Sequence, residues 1–223
     1  MNVGTPGGTV EGVVVALDVD GVLLDPDRGG QGPWQVAFSQ QFDVEASQLD
    51  PAYFQRVWRD VIVGRDPIET TLSAAMQGLG WDIDVDDALR CWFEADFVVD
   101  PEVVDAANDW SGRGIRVVLA TNQEIRRARY IEQRLATLIP LSGMAFSGAL
   151  GFLKDDPAFY AAAERQLGIM PDRTSVVFVD DTEGNVEAAR RHGWRSLHFS
   201  TDSDWRQATE RAIESVLAER SAS

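Results

Sequence analysis

Residues 13 to 19, VVVALDV, are apolar but for a single acid and lead straight into Asp20 and Gly21. A short, continuous apolar run bounded by turn residues is what a strand buried on both faces looks like, and such strands belong to parallel sheets with helices on each side. The run ends on two carboxylates, Asp18 and Asp20. Side chains at i and i+2 of an extended chain point to the same side, so both acids stand together at the strand's carboxyl end. Each raises the cost of ionising the other unless a divalent cation sits between them or the two have separate acid and base roles. Asp-Gly is also good turn chemistry, and a turn alone accounts for the pair equally well.

From residue 101 onward, strand-like and helix-like stretches alternate, the pattern that builds a parallel sheet covered by helices. PEVVDAANDWSGRG has Pro101 at a helix start and Gly112 and Gly114 at its end, and IRVVLATN then reads as a buried strand. The chain continues as helix (QEIRRARYIEQRLAT), short strand (GMAF), helix (DPAFYAAAERQLG), strand (TSVVFVDD), helix (TEGNVEAARRHG) and a last strand (WRSLHF), closed by a polar helix from about Trp205. Between Asp25 and Asp100 strand runs vanish. Apolar residues instead recur at helical spacing, as in Tyr53, Phe54, Val57, Trp58, Val61 and Ile62, with breaks near Gly64 to Pro67 and Gly78 to Gly80. The expected architecture is therefore α/β: a Rossmann-like three-layer parallel-sheet core from residues 1–24 and 101–223, with a helical module, residues 25–100, inserted after the first strand. In open sheets of this kind ligands bind at the carboxyl ends of the strands, which puts the module over Asp18 and Asp20.

The 223 residues suffice for one core plus a smaller insertion. A net charge of −16 opposes sequence-independent binding to nucleic acid or an anionic membrane. One cysteine, Cys91, excludes an internal disulfide and cysteine-based zinc sites, as expected of a reducing compartment. Residues 1 to 10 show no signal-peptide pattern, and no apolar run approaches the roughly 20 residues that cross a bilayer. A cytoplasmic monomer or homodimer with a loose N-terminus and a glycine-rich DRGGQGP loop is the expectation.

Other strand ends carry polar groups too. VVLATN ends in Thr121 and VVFVDD in Asp180 and Asp181, each just before a helix, and Lys154 precedes a further helix start at the same edge. Thr and Asp are favoured helix caps, and a single lysine is ordinarily solvated. Three strand ends supplying carboxylate pairs and a hydroxyl to one sheet edge are harder to explain by capping.

In this order the residues resemble the haloacid dehalogenase superfamily of aspartyl phosphatases: DVDGVL, the Thr of LATN, the Lys of GFLKDDPAFY and the DD of VFVDDTEGNVEAARRHG match its four motifs, and the helical module looks like its small cap. The resemblance covers the whole core. One departure is Asp155, where relatives often have proline after the lysine. The resemblance implies that Asp18 is the nucleophile and that Asp20, with a pKa raised by its surroundings, protonates the leaving alcohol and then deprotonates water. It implies a magnesium ion on Asp18, the Asp20 carbonyl and Asp181, with Asp180 behind it or as a further ligand. Thr121, Asn122 and Lys154 would hold the phosphoryl oxygens.

Halide-releasing relatives lack the second aspartate because a halide needs no proton, so Asp20 favours a phosphate ester of a small metabolite as the substrate. Arg59 and Arg65 are candidate substrate contacts, Arg65 the better because VGRDP reads as an exposed break; a solvated arginine paired with Asp66 or another neighbour is the more ordinary reading of either. Trp34, Trp58 and Trp92 would stack on a substrate or fill the cap's own core. His192 and His198 have no partner spacing for a metal or a triad. A phosphosugar mutase shares all four motifs, and a catalytically silent relative would bind a phosphorylated ligand without turnover. A response-regulator receiver gathers similar residues but carries its phosphoacceptor on a later strand and lacks the insertion.

Overall fold

The computed structural model describes residues 12–25, 34–201 and 204–222; the expected loose N-terminus and the DRGGQGP loop lie outside the described residues. The first strand, β1, is Val13–Leu17, and all five of its residues are buried. After it the chain enters a group of helices: α1 (Trp34–Phe42), α2 (Trp58–Ile62), α3 (Ile68–Gly78) and α4 (Val85–Asp96). The apolar stripe from Tyr53 to Ile62 is not a single helix. A short helical turn at Asp50–Phe54, with Pro51 near its start, is set off from α2 by the turn at residues 55–57.

The remainder alternates as the pattern predicts: α5 (Pro101–Gly112), β2 (Arg116–Thr121), α6 (Ile125–Leu135), β3 (Leu141–Phe146), a short α7 (Ser147–Leu150), α8 (Pro157–Leu167), β4 (Ser175–Asp180), α9 (Glu183–His192), β5 (Arg195–His198) and α10 (Trp205–Ser221). The α7 turn carries no sequence pattern that would announce it, being one turn long. The five strands are all parallel, in the order β3-β2-β1-β4-β5. The first strand is thus central, and its neighbours are the strands ending in Thr121 and Asp180.

Alternation along the strands divides the interior into two layers. Val13, Val15 and Leu17 join Val117, Leu119, Val177 and Val179 on one face, where Trp110 of α5, Ile131 of α6 and Ile213 of α10 cover them. Val14 and Ala16 join Val118, Ala120, Val176 and Phe178 on the other, under Phe159, Tyr160 and Ala163 of α8 and Ala188 of α9. The inserted helices have a third interior of their own, which includes Phe38, Tyr53, Leu72, Leu89 and Trp92. Their entry and exit strands run side by side: Asp25 N–H donates to the Val98 carbonyl and Asp100 N–H to the Leu23 carbonyl, both at 2.9 Å. No helix among the described residues is long and apolar enough to cross a membrane.

Phe38 is fully buried and packs edge-on against Trp34 at 5.4 Å between ring centres. Phe38→Ala should therefore cost about 3–5 kcal/mol of stability, read as a drop in the urea midpoint followed by tryptophan fluorescence. An unchanged midpoint would show that the inserted helices do not share the cooperative core.

Candidate active site

The β1 ladder carries Asp18 to the sheet's carboxyl edge, with its N–H donating to the Val179 carbonyl at 2.9 Å. Leu17 is paired with Leu119 on one side and Val179 on the other. The residues that follow on the three strands therefore emerge together, and Asp18, Thr121 and Asp180 are all buried there. The loop before α8 brings Lys154 into the same place. Its ammonium lies 2.5 Å from Asp18 Oδ2 and 2.7 Å from Asp180 Oδ2, with only 2% of its side chain exposed. Asp155, the departure from the family pattern, is exposed in the turn and leaves that reach intact.

Several groups fix this cluster. Lys154 N–H donates to Asn122 Oδ1 at 3.0 Å, and the Tyr160 hydroxyl lies 2.8 Å from the carbonyl oxygens of both Lys154 and Asn185. Asp180 Oδ1 accepts from Thr182 N–H at 2.8 Å, and Asn185 Nδ2 spans both Asp180 oxygens. Both Asp180 oxygens are thus engaged, Oδ2 also by the Lys154 ammonium, so Asp180 orients Lys154. His198, without a partner at the sequence level, holds the Asp181 carbonyl at 2.8 Å through Nε2. His192 instead stacks on Tyr160 and lies 3.2 Å from Glu164 Oε1.

The charges here do not balance. Burial, opposed by the Lys154 charge and assisted by that of Asp180, leaves the Asp18 carboxyl raised to about 7. The Asp181 carboxyl is also raised, by burial and then by Asp180. Burial alone would lower the Lys154 pKa, but the charges of Asp18 and Asp180 hold it above the ordinary lysine value. One oxygen from each of Asp18, Asp180 and Asp181 lies within 4.8 Å of the others. A hard divalent ion with oxygen ligands fits that donor set. Gly21 completes the fit: it has φ +78°, and a Cβ there would run into the Asp181 carboxylate, so only glycine lets that carboxylate close in.

Asp20 stands apart from this buried group. Its side chain is about half exposed, and Arg127 of α6 grips it with both guanidinium nitrogens, Nη1 to Oδ2 at 2.6 Å and Nη2 to Oδ1 at 2.7 Å. Gln123 Nε2 adds a bond to Oδ2 at 2.6 Å and returns its Oε1 to Arg127. Burial raises the Asp20 pKa, but the Arg127 charge and these hydrogen bonds outweigh it and the carboxyl ends below its ordinary value. That corrects the expectation of a raised pKa, because the sequence gives no sign that a buried arginine would face this acid. Gln123 lies in the loop before α6 and Arg127 in that helix's first turn, so no helical spacing joins the two and no signal in the sequence marks the pair.

Asp18, Asp20, Thr121, Asn122, Lys154 and Asp181 line one cavity of about 310 Å³. Arg65 does not reach it. It pairs with Asp60 at 2.7 Å on the surface and lines a separate groove. Arg59 is likewise absent from the cavity lining.

A sequence model of the haloacid dehalogenase-like hydrolases matches residues 13–193. No curated protein sequence matches the chain. Among solved structures, a HAD family enzyme from Bacteroides thetaiotaomicron is similar at 16% identity, covering 91% of this chain and 98% of its own, with a TM-score of 0.70. The same enzyme in complex with magnesium and inorganic phosphate gives 17%, 88%, 98% and 0.67. An L-2-haloacid dehalogenase from Xanthobacter autotrophicus with covalently bound chloropropionic acid gives 16%, 92%, 83% and 0.61. At these identities the likeness is one of fold.

Between its ordinary value of 3.8 and about 7, the folded chain holds a proton on Asp18 that the unfolded chain has released. Stability in chelator should therefore decline as pH rises through that window. Added magnesium, which competes with the proton, should reverse the decline at the upper end. Thermal melts at several pH values check this, with Asp18→Asn as control; equal slopes in the two proteins would remove Asp18 as the source.

Proposed function

The chain belongs to the haloacid dehalogenase-like hydrolases, and on that premise we propose that it is a magnesium-dependent phosphatase of small phosphate monoesters that works through a phosphorylated Asp18. The observation that carries this reading is that Asp20 lines the same cavity as Asp18. A halide leaves without a proton, whereas the alkoxide of a phosphate ester needs one, and Asp20 is a carboxyl group placed to give it. The relative bound to magnesium and inorganic phosphate supports a phosphoryl substrate, and the relative bound to chloropropionic acid stands for the alternative.

An Asp18 carboxylate oxygen attacks phosphorus, the bond from phosphorus to the ester oxygen breaks, and the alcohol leaves with a proton from Asp20. Water then attacks the acyl phosphate, gives its proton to Asp20, and frees Asp18 and inorganic phosphate. Lys154, already against Asp18, faces the phosphoryl oxygens as their charge grows, with Thr121 and Asn122 beside it. Asp18, Asp181 and the Asp20 carbonyl would hold magnesium, with Asp180 behind them gripping Lys154. When bound, the ion screens the carboxylate's approach to an anionic phosphoryl group.

The Arg127 grip bears on the two roles of Asp20. As it stands, Asp20 is ionised and suited to accept the proton from water. A phosphate dianion arriving beside it adds negative charge, which raises its pKa and favours the acid form needed first. Substrate thus supplies the raised pKa that the free protein lacks.

Phosphate release from a panel of small monoesters should require magnesium, and Asp18→Asn should lower it by about 10³-fold or more. Asp20→Asn should cost about 10²–10⁴-fold. Activity retained by Asp18→Asn at a comparable rate would sink the covalent mechanism. Isomerisation of a phosphosugar without free phosphate would point to a mutase instead, and halide release from a haloacid to a dehalogenase.

A further inference from the structure

A second cavity of about 460 Å³ opens from the first and shares Asp20, Gly21 and Asn122 with it. Its walls come from the inserted helices: Trp34, Phe54, Trp58, Ile62 and Trp92. The rings are in mutual contact, with Trp34 stacked on Trp92 at 5.0 Å, Phe54 edge-on to Trp58 at 5.3 Å and to Trp92 at 5.6 Å. Trp34 and Trp92 are nearly buried within the inserted helices while Trp58 and Phe54 are less so. The tryptophans therefore fill the cap's interior and form a wall of the cleft at once.

The polar groups at the cleft floor are already engaged. Trp92 Nε1 donates to Asp96 Oδ2 at 2.8 Å, and Arg127 and Gln123 hold Asp20 and one another. A hydroxyl-rich leaving group would find few partners there, and each unpaired hydroxyl would raise the cost of binding. One atom breaks the pattern. Gln35 lines the cleft, and its Oε1 is buried without a hydrogen-bond partner, a property it shares among the described residues only with the Tyr130 hydroxyl. A buried acceptor left unpaired costs stability unless something arrives to satisfy it.

We propose that this cleft binds the leaving group of the substrate, and that the substrate is a phosphate monoester of an aromatic alcohol bearing a hydrogen-bond donor, its ring against Trp58 and Phe54 and its donor on Gln35 Oε1. The proposal rests on the phosphatase reading above. Continuity with the catalytic cavity fixes the occupant: an ester whose phosphoryl group sits over Asp18 places its alcohol past Asp20, and the space past Asp20 is this cleft. A flat ring suits it because aromatic walls reward stacked and edge-on contacts beyond the area they cover.

The test compares kcat/KM for magnesium-dependent phosphate release from benzyl, 3-hydroxybenzyl, 3-methoxybenzyl and ethyl phosphates and glucose 6-phosphate. Benzyl phosphate should exceed ethyl phosphate and glucose 6-phosphate by about tenfold or more. The 3-hydroxybenzyl ester should exceed the 3-methoxybenzyl ester by a similar factor, because only the first has a donor for Gln35. Trp58→Leu should shrink the first preference and Gln35→Met the second, each within one protein. Comparable rates for ethyl, glucosyl and benzyl esters in the unaltered protein would overturn the proposal while leaving the phosphatase reading in place. No phosphate from any ester would overturn both.

Discussion

Lys154 stands buried between two carboxylates, and the site is arranged around that contact. An ammonium with 2% of its side chain exposed is tolerable only because Asp18 and Asp180 meet it at hydrogen-bond distance. The three groups come from three different places, the central strand, its neighbour and the loop before α8, so the contact also fixes those pieces relative to one another. Asp180 has its remaining lone pairs taken by Thr182 and Asn185 and cannot turn away. With Asp181 included, three carboxylates face one ammonium, and the negative excess equals the charge of one divalent cation. That excess is what a hard divalent cation with oxygen ligands would offset.

Much of this was legible in the residues because parallel sheets write clearly. Val13 to Leu17, Arg116 to Thr121 and Ser175 to Asp180 are buried on both faces, so they read as unbroken apolar runs, and each run stops where the sheet meets the ligand edge. Asp18, Thr121 and Asp180 could be placed at one edge for that reason alone. The loop residue Lys154 could be placed only through the order of motifs, since nothing local marks a lysine as buried. Asn185, which clamps Asp180, and His198, which holds the Asp181 carbonyl, have no sequence signature at all. Arg65, in an exposed break, takes the more ordinary of its two readings and pairs with a neighbouring acid, Asp60.

Arg127 is the instructive omission. It sits in a helix rich in basic residues, and by composition α6 reads as a solvated surface; three of its arginines, at 126, 127 and 129, are consecutive or nearly so. One of them, Arg127, turns inward, and its charge and hydrogen bonds help hold the Asp20 carboxyl below its ordinary pKa. Arg126 meanwhile reaches across to Glu69 and Asp86 of the inserted helices. Adjacent residues of one helix therefore serve different surfaces, Arg127 the Asp20 carboxyl and Arg126 the inserted helices. Charge patterning by type gives both the same reading; only the 100° step of the helix separates them.

Asp20 belongs to both cavities, and this shapes how the two can act together. On one side it shares the buried, charged cavity of Asp18 and Lys154; on the other it meets the aromatic cleft through Arg127 and Gln123. A phosphate ester divides at the same line, a charged phosphoryl group on one side and an alcohol on the other, with the scissile oxygen between them. On the phosphatase reading proposed above, a carboxyl at that boundary is the group that both halves of such an ester would influence: the phosphoryl charge by raising its pKa, the alcohol by crowding the Arg127 grip that holds the pKa down. Inorganic phosphate alone supplies only the first of these. An ester that fills the cleft supplies both, so discrimination between substrates and activation of the acid would arise from the same contact, and a ligand too small to fill the cleft would forfeit rate as well as affinity.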